Sequence, residues 1–266
     1  MAYPSDFLHP LRAVDALRDQ LGSVRSVYLA GDRTEKRGDI GHHNETVLLL
    51  HGFFQTRNIW EVMEDRLRHD GYGVMSFDLG GLFWRYNTRS LDHLAAMIRE
   101  KIEALAQREG FQALHIVGHS KGGLLARRYI QHFGGDKRTK SLITLGTPHH
   151  GTPTALLGMA LTPVTRNPFE LMHRSRLVQS LNTDSFPPHI PFTSIYSRHD
   201  IVCPYWCSIL RPEPGDSSMH NVQVKGVGHS ELTWDAGVYR VVQDRLAHAT
   251  DLWRERRSHL LQAEVG

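Results

Sequence analysis

The chain has 266 residues, 40% of them apolar, which is enough to bury a substantial core, and its formal charge is only +3. Its basic residues are scattered, as in Arg66-Leu67-Arg68, Arg127-Arg128 and Arg254-Glu255-Arg256-Arg257. Without a basic stripe interleaved with aromatics, a nucleic-acid partner is disfavoured.

Met1 to Asp6 lacks a basic start followed by an apolar core, and no apolar run approaches membrane-spanning length. This reads as a soluble, cytoplasmic chain, or a secreted one if the sequence is a processed form. Short apolar runs then alternate with amphipathic stretches, the pattern of a mostly parallel sheet covered by helices on both faces. The expected strands are Ser26 to Leu29, Thr46 to Leu50, Gly73 to Phe77, Ala113 to Val117, Ser141 to Leu145, Phe192 to Tyr196 and Asn221 to Val224. Helical spacing marks Ile59 to Asp70, Leu91 to Arg108 behind an N-cap at Ser90, Gly123 to Phe133, and Gly237 to about Leu252. We expect one α/β domain over residues 1–266.

One segment breaks the alternation. Residues 154–190 are rich in apolar side chains, among them Leu156, Leu157 and Met159, and are punctuated by Pro163, Pro168, Pro187 and Pro188. Short helices are expected there rather than a structureless loop. The insertion falls between two core strands and would cover the carboxyl end of the sheet, where open α/β sheets bind ligands. It reads either as an acyl-binding cap or as a small subdomain that only adds core.

Gly118-His119-Ser120-Lys121-Gly122 follows the Ala113–Val117 run and opens a helical segment. That setting turns a common G-x-S-x-G match into a candidate nucleophile elbow, with Ser120 exposed on a turn that the flanking glycines leave uncrowded. The bland alternative is a tight turn whose serine caps a helix. A serine nucleophile needs a histidine base and a carboxylate to orient it, here in the chain order Ser, acid, His. Among eighteen histidines, His229 stands out, because Gly226-Val227-Gly228-His229-Ser230 lies between the last strand and the last helix. Asp200 follows a strand in Ser197-Arg198-His199-Asp200, and no Asp or Glu occurs between Lys140 and Glu170 to rival it; Asp184 and Asp216 are outsiders.

The oxyanion donors would be the backbone N–H of Lys121 and of Phe53, in the loop after Val47-Leu48-Leu49-Leu50-His51-Gly52. Phe53 and Phe54 would wall the pocket, and the Lys121 side chain is expected in solvent, since its contribution is its amide. His51, His119, His149 and His150 are expected to hold loops by hydrogen bonds. No carboxylate cluster suits calcium or magnesium, and no cofactor is expected. Cys203 and Cys207, spaced C-x3-C, fit neither a redox motif nor a zinc ribbon and read as packed thiols, with a local bridge as the alternative.

The stretches VLLLHGFFQ, LHIVGHSKGGLLAR, LITLGTPHHGTP, IYSRHDIVCP and NVQVKGVGHSELTW, spanning about Thr46 to Trp234, resemble the bacterial lipase and esterase group of the α/β-hydrolase superfamily. GTPHHGTP is similar to the triacylglycerol-lipase-like branch in particular, where it leads into a mobile lid, and SRLVQSLN is similar to a short helix near that lid. The resemblance implies an α/β-hydrolase fold and a cofactor-independent serine hydrolase acting on carboxylic esters with apolar acyl chains. Its expected partner is a small ester or lipid, with transient contact at lipid interfaces. An acyltransferase, thioesterase or amidase would use the same parts, whereas a binding protein that merely retains the fold would be expected to have lost some of them. The departures are the missing signal peptide, an unfamiliar amino-terminal part up to about Glu45, and a lysine after the nucleophile.

Overall fold

The computed structural model describes residues 40–80, 87, 89–154 and 167–265. Among these residues the sheet has six parallel strands, β1 (Thr46–Leu50), β2 (Gly73–Ser76), β3 (Leu114–His119), β4 (Thr139–Leu145), β5 (Phe192–Ser197) and β6 (Met219–Val224), in the order β2-β1-β3-β4-β5-β6. This is the expected α/β-hydrolase architecture. The strand expected at Ser26 to Leu29 lies outside the described residues.

The central strands explain themselves. β1, β3 and β4 are buried at every position, as strands covered on both faces must be, whereas edge strand β6 alternates between half-buried and exposed. Successive side chains point to opposite faces, so Leu48 and Leu50 join one core while Val47 and Leu49 join the other. Helices α1 (Glu61–His69), α2 (Leu91–Glu109) and α3 (Lys121–His132) follow the expected spans closely. The first core packs under α2 and α3 through Leu94, Ile98, Ile102, Leu125 and Tyr129. Beneath the second lies α1, with Met63 and Leu67.

Between β4 and β5 the described residues include two short helices, α4 (Asn167–Glu170) and α5 (Arg176–Thr183), in the proline-broken region where short helices were expected. Ser175 caps α5 by accepting from Val178 N at 3.1 Å. After β5 come α6 (Tyr205–Ser208) and the final helix α7 (Ala236–Val265), whose Val238, Val242 and Leu246 complete the second core. α7 runs well past the expected end near Leu252. Residues 254–259 are exposed, so the apolar periodicity stops before the helix does, and good helix formers carry it onward.

The amino ends of the strands hold a charged cluster. Lys140 Nζ donates to Glu45 Oε2 at 2.6 Å, and His115 Nε2 lies 3.3 Å from the same oxygen. Burial alone would raise the Glu45 carboxyl, but the hydrogen bonds from His115 and Lys140 outweigh it and hold it at about 2. Burial lowers His115 and keeps it neutral, so the ion pair is Glu45 with Lys140. β4 begins at Thr139, two residues before the apolar run that announces it, because Thr139 pairs with Leu114 ahead of a register shift that skips Lys140.

Candidate active site

The chain passes from β1 outward to β2 and then crosses back to β3 on the other side of β1, so the direction of winding reverses between β1 and β3. In open α/β sheets the crevice at such a reversal, outside the carboxyl ends of the strands, is where ligands bind. The loop after β1 and the turn after β3 flank it.

Ser120 makes that turn. It has φ of 54° and ψ of −124°, a positive-φ conformation uncommon for a residue with a side chain, and α3 starts at the next residue. Its N–H donates to Leu145 O at 2.9 Å, which ties the turn to the end of β4. The turn closes only because its neighbours lack side chains. A Cβ on Gly122 would stand 2.0 Å from Leu50 O, one on Gly123 would stand 2.1 Å from Thr147 Oγ1, and one on Gly118 would stand 2.6 Å from Gly123 Cα. Helix α3 therefore packs directly on the ends of β1 and β4.

Asp200 and His229, from the loops after β5 and β6, meet with Nδ1 2.6 Å from Oδ2, and both are almost wholly buried. The other carboxylate oxygen accepts from Cys203 N at 2.7 Å, which fixes the carboxylate plane. Gly226 N donates to His199 Nδ1 at 3.1 Å and binds the two loops together. Gly146, at the end of β4 with φ of 54°, leaves the space this pair occupies: a Cβ there would stand 2.8 Å from Asp200 Oδ2 and 3.1 Å from His229 Nδ1. The other two acids lie elsewhere. Asp184 faces His132, and Asp216 binds Ser218.

His119 connects His229 to the β1 loop. Its ring centroid is 4.6 Å from that of His229, its Nε2 is 2.9 Å from His229 O, and its Nδ1 is 2.9 Å from Gln55 Oε1. Gln55 Oε1 also accepts from Gly52 N at 2.8 Å. In the same loop the Phe53 and Phe54 rings, both half-buried, meet edge to face at 4.5 Å, and Phe54 has a φ of 53°. Burial lowers His51 to about 4 and holds His119 and His149 far below the ordinary imidazole value, so these rings are neutral at pH 7. Each is hydrogen bonded within the loops: His51 Nδ1 donates to Gly52 O at 3.1 Å, and His149 Nε2 is 3.0 Å from Thr144 Oγ1. His150, which burial lowers to about 4, meets Ile209 O at 2.9 Å. Among the described residues no group of His, Cys, Asp and Glu is arranged to hold a metal. Cys203 and Cys207 are buried free thiols.

One expectation fails. The Lys121 side chain is not in solvent but fully buried, with Nζ donating to Asn87 O at 2.9 Å and Arg89 O at 2.7 Å. Burial lowers this amine to about 7; two carbonyls on the segment before α2 accept from it, and the Phe53 ring centroid lies 5.6 Å from Nζ. Gln55, Asn87 and Gly146 also escape sequence reasoning; Gln55 and Gly146 lie in stretches with a familiar pattern, VLLLHGFFQ and LITLGTPHHGTP, and Asn87 does not. Leu156, Leu157 and Met159 lie outside the described residues.

A parallel sheet wound this way, a positive-φ serine between its third strand and the following helix, and an Asp–His pair on the last two strand loops define an α/β hydrolase. Residues 45–180, just over half of the chain, match the family model described as the alpha/beta hydrolase fold, and the chain belongs to that family. Among solved structures, the mature form of a Bacillus licheniformis lipase is similar, at 17% identity and a TM-score of 0.63, covering 81% of this chain and 96% of that one. A Paleococcus ferrophilus monoacylglycerol lipase is similar at 16% identity and a TM-score of 0.56 (77% and 94% covered), as is a soluble variant of a Saccharomyces cerevisiae monoglyceride lipase at 16% and 0.58 (79% and 87%). At these identities the likeness is one of fold.

Proposed function

We propose that the chain is a serine hydrolase that cleaves carboxylic esters with apolar acyl chains. The observation that carries this reading is the 2.6 Å contact between His229 Nδ1 and Asp200 Oδ2, held on loops beside the strained turn of Ser120. Asp200 keeps the imidazole proton on Nδ1, which leaves Nε2 as the base. Ser120 Oγ attacks the ester carbonyl as His229 takes its proton, and the oxyanion of the tetrahedral intermediate is met by the N–H groups of Phe53 and Lys121. Collapse expels the alcohol, which takes the proton back from His229 and leaves an acyl-Ser120. Water, deprotonated by His229, then attacks the acyl carbon, and the acid departs as Ser120 regains its proton.

In this reading residues 154–190 serve as the cap, and Phe54, Leu156, Leu157 and Met159 are the residues assigned to the acyl pocket. The lipases among the similar folds support an ester or lipid substrate. Among the described residues no helix is long and apolar enough to cross a membrane.

The test is steady-state hydrolysis of aryl esters graded in acyl length, with Ser120→Ala as control. Turnover should fall by about 10⁴-fold or more in that variant, because triad members act as a unit. A serine-directed phosphonate should label Ser120 and no other residue by mass spectrometry. Undiminished hydrolysis by folded Ser120→Ala protein would overturn the assignment.

A further inference from the structure

The β1 loop is held by side chains that no serine-hydrolase step uses. Asn87 Nδ2 donates to His51 O at 2.8 Å and to Gly52 O at 3.2 Å. Both acceptors are carbonyls, so the amide must present its NH₂ to them, and its orientation is fixed by chemistry. Asn87 is wholly buried and has a φ of 46°, a left-handed conformation that Asn tolerates better than most residues. Its own carbonyl is one of the two that receive Lys121 Nζ.

Peptide geometry gives these contacts their meaning. Across a trans peptide the C=O and the following N–H point in opposite directions. His51 O faces Asn87, and Gly52 N accordingly faces the other way, onto Gln55 Oε1. Gly52 O is likewise held on the Asn87 side, by Asn87 Nδ2 and by His51 Nδ1, so Phe53 N–H is turned to the opposite side. Ser120 adjoins this peptide: its Cβ is 2.9 Å from where a Gly52 Cβ would stand. The lysine that follows the nucleophile thus reaches, through one asparagine, the amide across the crevice.

We infer that Asn87 and Lys121 are positioning residues for the oxyanion site: Lys121 Nζ clamps the Asn87 and Arg89 carbonyls, and the Asn87 amide holds the Gly52–Phe53 peptide so that its N–H faces the developing charge. The inference rests on the serine-hydrolase reading. It accounts for a lysine at a position adjoining the nucleophile, where burying an ammonium is costly, by giving each end of the residue a part in the same site. Burial lowers the Lys121 amine to about 7, and Glu170, whose Oε2 accepts from Leu91 N at 3.1 Å, supplies a nearby negative charge that opposes this; in either charge state Nζ carries the two N–H donors that the two carbonyls receive.

The test uses the full chain with Asn87→Asp, Asn87→Gly and Lys121→Met. Asp keeps the size and the tolerance of positive φ but sets a carboxylate against two carbonyls. Gly keeps the φ and deletes the amide, and Met keeps the length of Lys121 without its donors. Each is expected to lower kcat by about 10- to 100-fold with KM within about threefold of wild type, the scale of a misplaced rather than deleted donor. Affinity for a trifluoromethyl ketone, whose hemiketal oxygen occupies the oxyanion position, should fall in parallel with kcat/KM, while affinity for the carboxylic acid product stays put.

A purely structural role would lower the thermal midpoint without separating the two affinities. Should Lys121→Met fail to fold, the two Asn87 variants carry the test. Folded Asn87→Asp and Asn87→Gly proteins with unchanged kcat and unchanged ketone affinity overturn the inference, even where hydrolysis depends on Ser120. Failure of the hydrolase reading is separate and shows in the wild type, as hydrolysis indifferent to Ser120→Ala.

Discussion

Replacing Asp200 by Asn tests the proposed triad through a single proton. The carboxylate now accepts twice, from Cys203 N at 2.7 Å and from His229 Nδ1 at 2.6 Å. An amide can accept only once along that line. With its oxygen kept on Cys203 N–H, the Asn side chain turns its NH₂ toward His229 Nδ1, which can then only accept, so the imidazole proton moves to Nε2. The opposite orientation sets NH₂ against a buried N–H and leaves that donor unpaired, at a cost of about 1–3 kcal/mol. The favoured orientation therefore abolishes the base while changing almost no volume. We expect kcat/KM to fall by roughly 10³- to 10⁴-fold, about 4–5 kcal/mol of transition-state stabilisation, with circular dichroism and thermal midpoint close to wild type. Hydrolysis of a p-nitrophenyl ester measures it, and folded Asp200→Asn protein within tenfold of wild type refutes the argument.

Glu45→Gln should cost about 3 kcal/mol in denaturant unfolding at pH 7, since the folded carboxyl sits at about 2 against an ordinary 4.5. A lowered carboxyl stabilises fully above 4.5 and loses its effect only as pH falls from there toward 2, so at pH 7 the whole difference is present; a change under about 1 kcal/mol would show the pair with Lys140 to be idle. Gly122→Ala should destabilise by about 2–3 kcal/mol and abolish hydrolysis, because its Cβ would meet the main-chain Leu50 O at 2.0 Å. Gly110→Ala, which meets nothing within 4 Å but has a φ of 77°, should cost only about 1 kcal/mol and spare activity; equal effects would deny the elbow its special packing.

Much of this could be read from sequence because the features that define the fold are local. A strand buried on both faces tends to be an apolar run, so β1 stands out at its full length and β3 and β5 are marked by shorter apolar stretches, while loops at strand ends single out Ser120, Asp200 and His229 as candidates. What escapes is whatever depends on a distant partner. Lys140 is buried within β4 against Glu45, and no window around residue 140 contains that partner. Lys121 reads as a solvent lysine by type; its acceptors, Asn87 O and Arg89 O, come from more than 30 residues upstream. Asn87 itself has no motif, and its importance is visible only once the carbonyls it binds are known. α7 shows the complementary failure, where helix continues on propensity after the apolar stripe that announces it has ended.

The buried imidazoles carry a consequence for the molecule as a whole. His51, His115, His119, His149 and His150 all have their folded values lowered from 6.5, in each case first by burial, and the two with definite values reach about 4. Above pH 6.5 both folded and unfolded chains hold these rings neutral, and burial extracts no electrostatic penalty. As pH falls from 6.5 toward 4 the unfolded chain takes up protons that the native one refuses, and each such ring withdraws up to about 1.4 kcal/mol of stability per pH unit. Acting together, such rings would consume a substantial part of an ordinary domain's 5–15 kcal/mol as the pH falls through this range. On the acid side the protein therefore stops working by coming apart, with a proton dependence steeper than one catalytic histidine can produce.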